Sequence, residues 1–366
     1  MKDRIARPRG VPPSVTALLR ALRYLSLRGI AIFLTVLCGI YAAIWVTNLG
    51  GYADAQKIWE IEFAVGMTPI QASSNEERQA IAAQMVESMI EAHDLNRPFW
   101  QRSFGYFRDA FTFSLGRTGM TSPSGSSDAI DVITERLPPT LLIFGTANVI
   151  TFFGSLIIAL FLARRFGSLI DRLATLLVPL LSAPPWFHGI VLIVVFASIL
   201  RILPFGNIVD ARVSASTFGY VLSILKHMIL PVSACVLGTL PMAVYANRAL
   251  FLTHAGDSHV ELARAKGLSV HRLQKRYILR PVLPPVITSF ALVAIGSWQA
   301  IILTEIVFSW PGLGALLIDA ITHDEVAVVV GAVTLFAYLL GFTVLFLDLI
   351  YVLVDPRIAL GGGRNR

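Results

Sequence analysis

The residue types that could do chemistry gather most densely between Asp257 and Pro281. Glu261, Arg264 and Lys266 alternate there with the small residues Ala263 and Ala265, and the run stops at Gly267. A glycine ends a helix well, because it adopts the left-handed conformation without steric cost. Ser269 can cap a new helix, and Pro281 is expected to end its cytoplasmic part. The spacing therefore predicts a short helix, a sharp turn and a second helix. Small residues permit close backbone approach, and flanking charges set register on a complementary surface. That is docking chemistry rather than catalysis. The residues alone leave a second reading open, in which a basic loop lies against anionic lipid.

Other reactive types are dispersed. The seven histidines have no metal-ligand spacing, and no Gly-x-x-x-x-Gly-Lys-Ser/Thr phosphate loop occurs. Cys38 and Cys235 lie inside apolar runs and form neither a metal-like spacing nor a disulfide framework. His188, Asn148 and Gln299 are polar groups inside apolar stretches, where exposure to lipid is costly, so they are candidates for lining a path. Glu305 and Asp319 stand near the outer end of such a path. For His188 and Asn148 an interhelical hydrogen bond is the favoured reading.

The elements that must position these groups are membrane helices. Apolar residues make up 55% of the 366-residue chain and charged residues 14%, against about 25% in an average soluble domain. The net charge of +7 would suggest nucleic acid in a soluble protein, but here its distribution matters more. Stretches free of Asp, Glu, Lys and Arg run over 29–53, 137–163, 173–200, 227–247, 281–304 and 326–347. Each is long enough to span about 30 Å of hydrocarbon, and lipid requires each to be a helix. The first follows a basic segment but is too long for a signal peptide core, so it is read as retained. Pro184 and Pro185, and Pro231 and Pro241, are expected to kink their spans.

Orientation follows from Lys and Arg. With the N-terminus inside, 20 fall in inside segments and 10 in outside ones, most of the latter in the long first loop, which weighs little. Both termini are thus expected in the cytoplasm. The organisation reads as a cytoplasmic N-terminal segment 1–28, a first span 29–53, an extracytoplasmic helical loop 54–136, a five-span core 137–360 and a cytoplasmic tail 361–366.

The outer loop has structure of its own. Ser74 and Glu77 form a capping box, and Ile81, Met85, Val86, Met89 and Ile90 follow at helical spacing, predicting a helix over 75–93. Residues 99–113 are amphipathic and rich in aromatics. They fit either a small helical cap or a docking platform, and such a segment could lie at the membrane interface. Residues 121–127 read as a flexible connector.

Glu261-Leu-Ala263-x-x-x-Gly267 resembles the Glu-Ala-Ala-x-x-x-Gly motif of bacterial and archaeal ABC-type import permeases, in the form found in the oligopeptide, dipeptide and nickel family. Further motifs agree in order: Glu135-Arg-Leu-Pro-Pro-Thr140, His227-x-x-Leu230-Pro231, Glu305-x-x-Phe308-Ser309-x-Pro311-Gly-Leu-Gly314 with Asp319-Ala320 and Asp324, and Asp355-Pro-Arg-Ile358. Three positions depart from the pattern: Leu262 replaces the second alanine, Gln299-Ala300 a Gly-Gly pair, and His259 a common tyrosine. The resemblance implies an all-α integral membrane protein of the cytoplasmic (inner) membrane, with six transmembrane helices and a coupling helix between the fourth and fifth. It implies that Glu261, Ala263, Arg264, Ala265, Lys266 and Gly267 couple to ATPase subunits, with a smaller contact from residues 164–172. The implied partners are a second homologous permease, two ATP-binding subunits and an extracytoplasmic substrate-binding protein. ATP and magnesium would reside in those subunits, with no cofactor and no catalysis in this chain and no nucleic acid partner. A secondary transporter or channel is the alternative, and it would need an ion site or filter often built from repeats.

Overall fold

The computed structural model describes residues 13–48, 51–71, 74–92, 95–210 and 216–354. The motif Asp355-Pro-Arg-Ile358, the tail 361–366, residues 1–12 of the N-terminal segment and His93 lie outside the described residues. All elements are helical: α1 (Pro13–Thr47), α2 (Tyr52–Met67), α3 (Asn75–Ala92), α4 (Phe99–Phe111), α5 (Ala129–Thr134), α6 (Leu137–Arg164), α7 (Leu169–Leu181), α8 (Pro185–Leu192), α9 (Thr217–Ala255), α10 (Ser258–Ala265), α11 (Val270–Arg272), α12 (Arg280–Val307), α13 (Leu313–Thr322) and α14 (Val326–Val354). Two π-helical stretches, Ile193–Ile199 and Leu273–Leu279, extend α8 and join α11 to α12.

Among the described residues five helices are long and apolar enough to cross a membrane: Leu25–Thr47, Ala129–Arg164, Thr217–Ala255, Val270–Val307 and Val326–Ile350. The stretch 173–200 is not one helix. It breaks at Ser182, Ala183 and Pro184 into α7 and α8, with Pro184 extended at ψ 149°. Pro184 and Pro185 lack amide donors, and the extended Pro184 caps a new helix whose first residue is Pro185, so the stretch breaks there rather than kinks. Pro231 and Pro241 are carried inside α9, as Pro284 and Pro285 are inside α12.

Other boundaries move for local reasons. α1 stops at Thr47, short of residue 53, and the Gly51 amide bonds the Asn48 carbonyl in a turn that starts α2. α9 begins well before His227, because the Ser216 hydroxyl accepts the Gly219 amide and Lys226 does not interrupt a helix. Pro281 does not end the fifth helix. It sits in the first turn of α12, directly after the π-helical turns that shift the hydrogen-bond register. Residues 121–127 are an ordered turn, not a flexible link. The Ser122 amide bonds the Ser126 carbonyl, and the Ser124 hydroxyl donates to Glu135 at 2.6 Å.

α6 lies along α9 and α1 along α14, while α12 touches α6, α8, α9 and α14. The central core stacks Phe144 on Trp298 with ring centroids 3.9 Å apart, beside Ile143, Ile301 and Phe308. α8 approaches α9 so closely that a Cβ on Gly238 would stand 2.8 Å from the Pro185 ring. Gly238→Ala is therefore expected to cost about 1–3 kcal/mol through overpacking, read as a lowered unfolding midpoint in detergent. A midpoint equal to the native one would show that α8 can slide away.

Candidate functional site

α10 is built as its sequence dictates. The Gly267 amide bonds the Arg264 carbonyl at 2.9 Å and the Leu268 amide reaches the Ala263 carbonyl at 3.3 Å, with Gly267 at φ +76°. That is the paired-bond glycine stop expected at this position. Ser269 does precede the next helix, but its side chain makes no capping bond. One face of α10 is buried: Val260 at 0% and Ala263 at 3% exposure pack with Phe251, Leu273 and Val282. His259 Nε2 also lies 3.2 Å from the Tyr277 carbonyl.

Ala263 thus faces its own core. Its small size lets α10 sit on α9 and the π-helical turns. Glu261, Leu262, Arg264, Ala265, Lys266 and Gly267 remain exposed. Leu262, the departure from the alanine pattern, shows 58% of its surface. The helix therefore offers an outer face with one apolar residue among charges, while its inner face is fused to the ends of two long helices.

The segment between α6 and α7 is fixed to α9 by a side-chain pair that sequence reasoning missed. Arg248 Nε donates to Asp171 Oδ1 at 2.5 Å and its terminal nitrogen to Oδ2 at 2.7 Å. The Gly167 amide adds 3.0 Å to Oδ2. Asp171 is 2% exposed. Hydrogen bonding from Arg248 holds the Asp171 carboxyl below the ordinary aspartate range, and the Gly167 amide adds to it against the opposing effect of burial. Only an opposite-charge pair at long separation could have hinted at this.

The polar residues of the spans scatter. Asn148 donates to Ser297 Oγ at 3.1 Å, the interhelical bond expected of it. His188 is buried, and its Nδ1 lies 3.3 Å from the Pro184 carbonyl, one turn back on its own helix. Gln299 is exposed, while its neighbour Trp298 fills the core. Asp319 is exposed and lies 3.2 Å from His323 Nδ1. They do not converge.

Glu305 behaves otherwise. It is 0% exposed near the end of α12. The Thr140 hydroxyl donates to its Oε1 at 2.7 Å, and the Gly314 and Ala315 amides donate to its Oε2 at 2.7 and 3.2 Å. Thr140 Oγ1 in turn accepts the Leu313 amide at 2.8 Å, and Trp310 Nε1 donates to the Pro139 carbonyl at 2.9 Å. The carboxylate thereby satisfies orphan amides at the N-terminus of α13 and ties that end to α6. Glycines 312 and 314 are required by the closeness, since a Cβ on Gly312 would strike the carboxylate and one on Gly314 would stand 2.6 Å from the Ile302 Cα. Glu305 is a buried clamp in this geometry rather than a cavity wall. The segments Glu135–Thr140 and Glu305–Gly314, two separate motifs in sequence, form this one assembly.

Among the described residues no group of three His, Cys, Asp or Glu is placed to hold a metal.

Residues 155–360 match the family described as the binding-protein-dependent transport system inner membrane component. The chain is 30% identical over 308 residues to the di/tripeptide transport system permease protein DppB of Pseudomonas aeruginosa, covering 79% of this chain and 89% of that protein. It is 31% identical over 288 residues to the dipeptide transport system permease protein DppB of Escherichia coli, covering 72% and 82%. It is 29% identical over 275 residues to the oligopeptide transport system permease protein AppB of Bacillus subtilis, covering 74% and 84%.

Proposed function

The chain belongs to the binding-protein-dependent transport system inner membrane component family, and from that premise we propose that it forms one half of the translocation pathway of an ATP-driven importer of oligopeptides or dipeptides. As a family member it is a multi-pass, non-catalytic inner-membrane permease of an ABC-type system. The peptide cargo is inferred from the relatives, all three of which carry peptide transport in their names.

The observation that carries the reading is α10, a short helix with an exposed outer face and an inner face packed on α9 and the turns before α12. Glu261, Leu262, Arg264, Ala265, Lys266 and Gly267 form the coupling surface, and Ala263 seats it. ATP binding to two partner subunits draws such helices together, and the spans rock as rigid bodies between two states. Residues 164–172 add a second contact, held in place by the Asp171–Arg248 pair. α7 and α8 together make the sixth crossing, and both termini face the cytoplasm with the coupling surface. A second permease completes the pathway, and the segment 54–136 meets it or the binding protein outside.

Gly267→Asp tests this. The left-handed backbone at φ +76° strains a residue with a side chain, and the change adds a charge beside the docking face. The tagged chain, extracted in mild detergent, is expected to co-purify with ATPase subunits and a second permease. The variant should keep the permease and lose roughly tenfold or more of the ATPases, or about 1.4 kcal/mol or more of affinity. A native chain that comes out alone would overturn the reading.

A further inference from the structure

α4 is longer than a surface cap requires, and its ring contacts fix its course. Trp45 meets Phe99 at 5.2 Å, Tyr41 meets Phe104 at 5.8 Å and Phe107 at 5.9 Å, and Phe33 meets Phe111 at 6.2 Å. Numbers fall along α1 as they rise along α4, so the two helices are antiparallel neighbours. Phe111 also meets Tyr338 of α14 at 6.1 Å. By the helical rise of about 1.5 Å per residue, Phe33 lies ~21 Å below the outer end of α1 at Thr47, and Tyr338 ~18 Å below that of α14 at Val326. Both distances reach about the middle of a ~30 Å hydrocarbon layer. α4 therefore does not lie flat on the membrane. It descends into it and returns.

The turn at its tip has paired polar groups, and its exposed residues Ser114 and Gly116 line the cavity beside α4, the setting in which irregular backbone is tolerated at membrane depth. The Tyr338 hydroxyl donates to the Phe111 carbonyl at 2.9 Å, and the Ser114 amide bonds the Asp109 carbonyl at 2.8 Å. Phe113 turns the chain at φ 56°.

Beside this re-entrant helix lies a partly open cavity of about 530 Å³. Thr47, Lys57, Arg102, Gly105, Asp109 and Val330 are among its walls. It lies at the end of the bundle away from α10, because α12 runs from the α10 side to the end where α14 begins. Charged groups at membrane depth are tolerated where they face protein or water. Arg102 is already held by Asp54 at 2.8 Å, and Asp109 is 41% exposed beside Arg108.

We propose that this cavity is a water-filled vestibule entering the membrane from the extracytoplasmic side, with α4 as its re-entrant wall, and that it admits a short zwitterionic peptide. Walls bearing charges of both signs solvate a zwitterion where hydrocarbon does not. The entry role rests on the importer reading, whereas the vestibule itself does not.

Gly105 is the probe position, since a Cβ there meets nothing within 4 Å. Gly105→Cys in intact cells is treated from outside with a membrane-impermeant cationic methanethiosulfonate, and labelling is counted above that of the native chain with its Cys38 and Cys235. It should react roughly tenfold or more faster than Phe104→Cys at the same depth on the outward face. Reaction of Gly105→Cys with an apolar maleimide alone would overturn the vestibule in favour of a lipid-filled cleft, and no reaction with either would show a closed one. In the second arm Gly105→Trp fills the cavity. Dipeptide uptake should fall with co-purification of the ATPases unchanged; unchanged uptake would refute the entry role. A native chain that transports no peptide would defeat the importer reading and leave the labelling result standing.

Discussion

Glu305→Ala is expected to unfold at a midpoint roughly 5–10 °C below the native chain in detergent, a loss of about 3–5 kcal/mol. The reason is the number of groups it would strand. The Gly314 and Ala315 amides and the Thr140 hydroxyl all spend their hydrogens on this carboxylate, in a place closed to water. A buried donor without an acceptor costs about 1–3 kcal/mol, and here several lose theirs together. Glu305→Gln should lie between, since its amide can accept through the oxygen but meets the remaining donors with donors of its own. Thr140→Val removes the other half of the clamp. In a double-mutant cycle the two losses should fall short of additive, because both break one network. Additive losses, or an Ala variant as stable as the native chain, would show that the start of α6, the end of α12 and the start of α13 are held by packing alone.

Arg248→Ala should be of similar size at the opposite end of the molecule, about 3–5 kcal/mol, because it leaves the nearly buried Asp171 charge without its partner. Arg248→Lys should recover only part, since an ammonium does not reproduce the two-pronged bond. The pH dependence has a definite sign. The Asp171 carboxyl is held below its ordinary range in the folded protein. Its pairing therefore stabilises the fold fully above about pH 4, the unfolded value, and the contribution is lost as pH falls through the lower folded value. Midpoints of the native chain and Arg248→Ala should accordingly converge below about pH 4. A gap that persists unchanged at low pH would assign the effect to lost packing of the arginine on Phe166, whose ring centroid lies 5.4 Å from it. The pair also has a functional reading under the importer proposal: without it the 164–172 contact would loosen, and ATPase-driven uptake should drop more than assembly does.

The sequence by itself determined the solvent, the helical class and the short helix that stops at Gly267. Each of these depends on properties that act within a few residues. Long uncharged runs at 137–163 and 326–347 can only be helices in lipid, and they are. Ser74 accepts the Glu77 amide as its spacing requires, and Gly267 takes the left-handed turn for which glycine is suited. Where local rules competed, the boundary moved. Charges at Lys226 and Arg248 bounded the apolar run but not the helix that contains it, and two adjacent prolines divided a stretch whose composition was uniform.

The tertiary structure alone decided which groups meet. Ala263 and Ala265 are alike in composition and two residues apart, yet one is packed inside and the other exposed, because only the placement of α9 and the π-helical turns defines an inner face for α10. Glu305 read as a path residue because it stands directly after the apolar stretch 281–304, near the outer end of a path. Its partners Thr140 and Gly314 stand 165 positions before it and nine after, and no local pattern carries that convergence. The same holds for Asp171 with Arg248 and for the descent of α4 beside α1, since hydropathy records what a residue costs in lipid and not which neighbour removes that cost.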